Sequence, residues 1–540
     1  MNRISVLVRR QRIKKLETWT IRAIAAEAFF LVLNPYIASA VAVFGIIVWF
    51  LRLQIDKKFK MRSLPFDVPI TIFIILGAIS VFMSPARSFE LIYNYCGIVG
   101  IFLLTYLLVG QNIRSVENLK TLANSMAAAA VIVVAVGFFQ YIFGVDVSEM
   151  KLSELDGFSE SQSRIFSTLE NPNVLAGYLN IIICLALGLL AKFGTRKQKF
   201  ILLAAIIIFT ACLTLTYSRG AFLAVAAIFL IYGLLYDWRI LTMFALGTAI
   251  LFYNDLNFLE RILAVFTGNF DNSAGMKIGI WVSTISMIAD HPFIGIGWGA
   301  YEFIYPQYNY YLVDTAQKIY QAHNLYLQTA AEVGIAGALA YFWYFFGTMF
   351  LALNLNANER YEKMKNTAGN IAKRAKDSKF KQKFDEELVK TFAESKFLQS
   401  IAQIKSMMII RLSDSINQIF DKAEKNETKP KTAKKSEPEL VHHEELNFGG
   451  KNKKNKDDKK SDDDNIDIQK FAEIMEFVDT KQKISDKQFV EGMRLGIGLA
   501  FLSMALNGMT DDLLFNIPSS IFMWMLGATA AAISLFDEEN

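Results

Sequence analysis

Apolar residues along this chain are gathered into long blocks, parted by short polar breaks that are mostly basic. A bilayer core of ~30 Å is crossed by ~20 mostly apolar residues in helical form. The blocks show no strict alternation of apolar and polar positions, so they predict helices rather than the strands of a barrel. Spans are expected at 20–34, 36–51, 66–83, 89–109, 121–143, 172–191, 200–216, 220–236, 240–255, 324–353, 489–507 and 513–535. The pattern thus predicts an all-α, polytopic membrane bundle of about twelve transmembrane helices. The first block is short and carries Glu27. It follows a basic stretch and ends near Ala38-Ser39-Ala40, as a signal peptide would, but the apolar run continues to Leu51, which favours two retained spans.

Charge orients the bundle. Arg9, Arg10, Arg12, Lys14 and Lys15, the cluster from Arg52 to Arg62, the stretches Arg114–Lys120 and Lys192–Lys199, and Arg239 all fall on one side of the alternating spans. The excess of Lys and Arg at cytoplasmic ends makes that side the inside, with both termini cytoplasmic. Composition adds that 53% of the 540 residues are hydrophobic, too many for a soluble protein of this size. Cys96, Cys184 and Cys212 lie in or beside apolar runs without paired spacing, so neither a disulfide framework nor a metal site is expected.

Two long segments interrupt the bundle. Residues 256–323 are rich in Trp and Tyr (Trp281, Trp298, Tyr301, Tyr305, Tyr308, Tyr310 and Tyr311) and are expected on the outer side, as short helices against the membrane surface. Residues 356–488 are expected inside. There, 358–425 read as helical, whereas 426–465 are too charged to pack and read as disordered. The expected organisation is a core of residues 1–355, the insert 356–488, and two final spans within 489–540 that complete the core.

Unusual polar residues gather on the outer side. Thr216-Tyr217-Ser218-Arg219-Gly220-Ala221 is a sharp turn between spans, and its Arg219 runs against the charge bias. An arginine there either reaches up to lipid phosphate or is held by an anionic partner. Asn171 or Asn173 can cap the span that Pro172 opens, which leaves Arg164 unexplained by capping. Arg261 and Lys277 add two outward cations. Asp290-His291-Pro292 with Gly295-Ile296-Gly297-Trp298-Gly299 reads as a tight turn, a weak signal for phosphate contact.

His323 in Ala322-His323-Asn324 stands where the outer loop re-enters the membrane, in the company of these cations. Alone it would read as a capping or core histidine; among four outward cations it reads as a candidate general base. His291, before Pro292, is the lesser alternative. Glu332 is out of phase with His323 on a straight helix and reads as pocket-supporting. Asp511-Asp512 reads as the start of the final helix. No acidic metal-binding set is evident. Such a cationic pocket suits a phosphate-bearing lipid and a leaving group on which negative charge grows.

Four segments together resemble the O-antigen ligase/polymerase superfamily of bacterial membrane glycosyltransferases: N-P-N-V-L-A at 171–176, T-Y-S-R-G-A at 216–221, M-I-A-D-H-P-F-I-G-I-G-W-G at 287–299 and A-H-N-L-Y-L-Q-T-A-A-E-V-G-I-A-G at 322–337. The resemblance spans roughly 20–355 and the last two spans, and does not cover the insert. It implies a fold of about twelve helices in the bacterial inner membrane, with an active site facing the periplasm or exterior. It also implies an enzyme that takes a glycan from undecaprenyl pyrophosphate without metal, nucleotide or other cofactor. By the resemblance, His323 is the catalytic base, and Arg219, Arg261 and Lys277, with Arg164, bind pyrophosphate. Asn171, Asn173, Ser218, Asn324 and Glu332 support the pocket. Lys277 stands where the family usually has Arg, keeping the charge without the bidentate fork.

The acceptor expected first is lipid A–core, then a growing polysaccharide, then protein. The expected partners are the lipid-linked donor, that acceptor and membrane lipids, with no nucleic acid. A transporter of small solutes such as inorganic carbon is the alternative of another class, and a scaffold working through 356–488 could coexist with transfer.

Overall fold

The computed structural model describes residues 3–144, 164–242, 244–245, 272–309, 318–353, 461–512 and 517–536. Among them there is no β-strand. The helices are α1 (Arg3–Phe30), α2 (Pro35–Ile55), α3 (Asp67–Met83), α4 (Phe89–Asn112), α5 (Val116–Phe143), α6 (Pro172–Lys192), α7 (Arg196–Thr214), α8 (Arg219–Leu235), α9 (Asn272–Asp290), the single turn α10 (Tyr301–Ile304), α11 (Leu325–Leu353), α12 (Ser461–Asn507) and α13 (Ile517–Ser534).

Their starts are written in the sequence. Asn34 caps α2 by accepting from the N–H groups of Tyr36 and Ile37, with Pro35 in the first turn. Ser88, Ser115 and Thr195 cap α4, α5 and α7 in the same way.

Among the described residues, seven helices are long and apolar enough to cross a bilayer: α2, α4, α5, α6, α7, α11 and the Ile484–Asn507 part of α12. Three shorter apolar helices, Asp67–Met83, Arg219–Leu235 and Pro518–Ser534, match further expected spans. The first expected span forms the end of the longer α1, where Glu27 is buried and accepts a hydrogen bond from Thr105. Most of the expected span 240–255, with Arg261, Tyr310, Tyr311 and residues 354–460, lies outside the described residues. By packing, Met1–Leu355 with Ala472–Asn540 make one unit and Asn356–Phe471 another.

At the basic ends of the first helices, arginines close open helix ends. Arg9 donates to the carbonyl of Ile55 and Arg62 to those of Gly110 (2.7 Å) and Ile113 (3.0 Å), while Arg114 donates to the loop carbonyl of Lys60 (2.6 Å). Cations there satisfy the last carbonyls and oppose the negative end of the helix dipole. At the same end Lys192 of α6 pairs with Glu491 of α12 at 2.9 Å.

Above that pair, α6 and α12 nearly touch. A Cβ on Gly188 would stand 2.2 Å from the backbone nitrogen of Gly496 and 2.4 Å from the carbonyl of Gly492. Small residues four apart allow such backbone approach between apolar helices. Gly188→Leu should therefore separate the pair, at a cost of about 1–3 kcal/mol for overpacking. The check is a lower melting temperature and folded yield of the purified variant in detergent; an unchanged melt would contradict the contact.

On the opposite side, α11 is broken. Gly334 has φ 73° and ψ 171°, and the turn 292–297 fills the gap. Ile296 N–H donates to Ala331 O (2.8 Å), Gly297 N–H to Glu332 O (3.0 Å), and Ile335 N–H to Pro292 O (2.8 Å). Backbone groups freed at membrane depth are thus satisfied by another segment. A Cβ on Gly295 would meet Glu332 O at 2.4 Å, so the glycines serve this docking.

The described part of 256–323 departs from the expected short surface helices in two ways. It contains the 19-residue α9, and Trp298, Tyr301 and Tyr305 are buried within the protein. Residues 461–465, expected disordered, are helical, because α12 begins at Ser461.

Candidate functional site

Two of the motif segments and α9 meet on one turn, Asn507–Asp512, at the end of α12. Asn507 O accepts from the N–H groups of Thr510 (2.9 Å) and Asp511 (3.0 Å) and so closes the turn.

From the Thr216–Ala221 segment comes Gly220, whose missing Cβ would stand 2.1 Å from Thr510 Oγ1. A side chain at 220 would run into that of Thr510, so Gly220 lets the backbone that carries the half-buried Arg219 pass beside the turn. From α9 comes Lys277, whose Nζ donates to Thr510 O at 2.9 Å. One helical turn on, Trp281 Nε1 donates to Ala322 O at 3.0 Å, fixing the residue before His323.

From the start of α11 comes His323 itself, 5% exposed. Its Nδ1 lies 3.9 Å from Asp511 Oδ1, an ion-pair distance, and 3.5 Å from Gln321 Nε2. Asn324 next to it caps α11 by accepting from the N–H groups of Tyr326 and Leu327, and donates to Met509 O at 3.0 Å. His323 is therefore held by the turn on one side and the helix cap on the other.

The backbone carries strain at these segments. The positive-φ residues other than glycine among those described are Ser167, Glu170, Tyr217 and His323, with φ 54°, 60°, 52° and 48°. All four fall in 164–173, 216–221 or 321–324. Such conformations cost about 1–3 kcal/mol each and gather where function requires a particular side-chain direction.

The other anticipated residues have defined places. Arg164 donates through Nε to Thr216 O and through Nη2 to Asn173 Oδ1, each at 2.9 Å. It thereby ties the start of α6 to the turn that carries Arg219. Asn171 caps α6 by accepting from Asn173 and Val174, as its sequence position suggested. Ser218 occupies the cap position of α8, buried, without a side-chain capping bond.

Glu332 is buried, its carboxylate accepting from Gln328 Nε2 (3.1 Å) and its carbonyl from Gly297 N–H (3.0 Å). Gln328 Oε1 in turn accepts from Ala322 N–H at 2.6 Å. Glu332 thus links the glycine turn to the residue before His323. His291 lies in that glycine turn, its carbonyl accepting from Gly295 N–H.

Asp511, expected to start the final helix, is itself non-helical and belongs to the cluster, facing His323 across the turn. Burial pushes its carboxyl up. His323, the Lys277 ammonium and the Asp512 N–H outweigh that and hold it below the ordinary range. A carboxyl lowered in this way adds stability above the ordinary carboxylate range and loses it as pH falls through its own lowered value. Asp511→Asn should consequently lower the melting temperature at about pH 7 and flatten its decline toward about pH 3. Parallel melting curves for wild type and variant would contradict the pairing.

Residues 176–342 match the family model described as O-Antigen ligase. This segment belongs to the O-antigen ligase/polymerase superfamily. That family is one of membrane glycosyltransferase-like enzymes, for which a lipid-linked glycan donor and a glycan acceptor are implied. The O-antigen ligase segment holds Arg219, Lys277, His323, Asn324 and Glu332, whereas Arg164, Asn171, Asn173 and the turn Asn507–Asp512 lie outside it. A comparison with curated proteins gives no match.

Proposed function

We infer that this protein moves a glycan from undecaprenyl pyrophosphate to an acceptor hydroxyl at the outer face of the bacterial inner membrane. The observation that carries this reading is the gathering of Arg219, Lys277 and His323 around the turn Asn507–Asp512.

The chemistry follows from the residues. His323 Nδ1 faces a carboxylate, which favours the tautomer with its proton on Nδ1 and leaves Nε2 basic. Nε2 takes the acceptor's proton as its oxygen attacks the anomeric carbon, and the bond from that carbon to the phosphate oxygen breaks. Inversion follows from a single displacement. The negative charge on the departing undecaprenyl pyrophosphate is met by Arg219, Lys277 and Arg261, with Arg164 placing the Arg219 turn. Asp511 acts as a positioning residue for the imidazole. Asn171, Asn173, Ser218, Asn324 and Glu332 hold the helix starts and turns that frame the pocket. Both termini then lie in the cytoplasm, with the bundle of about twelve spans completed by 489–540.

The acceptor is put first as lipid A–core. The experiment presents the purified protein in proteoliposomes with labelled donor and, separately, lipid A–core, a second lipid-linked glycan, or a Ser/Thr-containing protein. Labelling of lipid A–core is the expected result. Labelling of only the second or third acceptor would make the protein a polymerase or a protein transferase. No transfer to any of them, with bicarbonate uptake by the same vesicles, would replace the reading with transport.

A further inference from the structure

We propose that the side-chain amide of Asn507 is a further binding group for the donor's pyrophosphate, acting beside Arg219. This rests on the reading of the same site as a lipid-pyrophosphate site and names a residue that neither the motifs nor the matched segment contains.

Asn507 is the last residue of α12 and the first of the turn on which Gly220, Lys277 and His323 converge. Its backbone carbonyl already closes that turn through Thr510 and Asp511. Its side chain is therefore not needed for the turn. That side chain is 2% exposed, and its Oδ1 lies 3.3 Å from where a Cβ on Gly220 would stand. Its Nδ2 is fully buried and makes no hydrogen bond with any described residue.

Buried amide donors nearly always find a partner, and an unpaired one opposes folding. Leucine or alanine would fill this place without that penalty. Across the same short segment, Asn180 of α6 donates to Ala221 O. The start of α8 is thus flanked by two buried amides: Asn180 bonds to it, and Asn507 packs against Gly220 with a donor to spare.

An N–H donor beside an arginine completes an anion site. It offers a short, fixed bond to a phosphate oxygen where the guanidinium supplies charge. Lys277, itself tied to Thr510 O, contributes charge as a point rather than as a fork. A neutral donor at Asn507 supplies part of the directionality that an arginine at 277 would have given.

The test measures binding of geranylgeranyl pyrophosphate to the full chain in detergent, with geranylgeraniol and inorganic pyrophosphate as controls, together with the kinetics of transfer. Asn507→Ala should weaken binding of the pyrophosphate probe about tenfold, a change of about 1.4 kcal/mol. It should raise KM for the donor by the same factor, with little change for geranylgeraniol. Asn507→Asp, nearly isosteric, should weaken binding further by placing a carboxylate against the anion. It also serves as the measurement should the alanine variant fail to fold.

Unchanged probe affinity and KM in a folded Asn507→Ala or Asn507→Asp variant of a transferring enzyme would overturn the proposal alone. A wild type that neither transfers nor binds the probe would overturn the reading of the site, and the proposal with it. A wild type that binds the probe without transfer, and loses binding in both variants, would uphold Asn507 and overturn the proposed acceptors.

Discussion

His323→Ala is expected to lower acceptor-dependent glycan transfer about 10²- to 10⁴-fold, the usual contribution of a positioned general base. The fall should lie in kcat, since in the proposed reaction His323 takes the acceptor's proton and does not bind the pyrophosphate. His323→Gln is the sharper variant, because it preserves much of the side chain's volume and polarity without its basicity. Two features make the loss specific. The imidazole is buried beside Asp511, and its backbone is held at φ 48° by the cap at Asn324 and the bond from Trp281 to Ala322. A variant that melts like wild type yet transfers poorly would locate the loss in chemistry. Full activity in His323→Ala would remove the histidine from the mechanism.

The second large effect concerns the anion. Arg219→Ala should reduce transfer about 10²- to 10³-fold, the size of effect seen when one donor to a developing negative charge is removed. Arg219→Lys should recover only part of this, because an ammonium keeps the charge and loses the planar fork. The arginine is half-buried and follows the cap position of α8, so the helix itself should survive both changes. Steady-state rates at several donor concentrations check this. Equal activity in Arg219→Lys and wild type would mean that charge alone suffices.

The fold was legible wherever one residue type has one local meaning. Asn171 and Pro172 marked the start of α6, because a short polar side chain before an apolar run satisfies free N–H groups. Polar first turns were not legible from hydropathy. The expected start at 121 misses Val116 to Lys120, and the expected start at 200 misses Arg196 to Lys199. These residues are helical and capped by Ser115 and Thr195, but too polar to count as membrane span. The length of α9 was hidden similarly, since Gly275, Lys277 and Gly279 interrupt its apolar face.

The site was half legible. Arg219, Lys277 and His323 stood out because they fall on one side of the alternating spans, against the charge bias, where each alone would have a local meaning. Asp511 did not, because its partners are tertiary: next to a final helix an acidic pair has a ready local meaning, and nothing along the chain points from it to His323. The glycine turn at 295–299 was visible as a turn. Its purpose lay in the break at Gly334, which it fills, and no local pattern announces a break inside an apolar run.

The most direct measurement counts products. Purified protein is given undecaprenyl-pyrophosphate-linked glycan and acceptor, and both glycosylated acceptor and released undecaprenyl pyrophosphate are quantified over time. The account predicts one lipid pyrophosphate freed for each glycan transferred, with neither formed in His323→Ala. Donor left intact beside every acceptor, or pyrophosphate released without a glycosylated product, would contradict it.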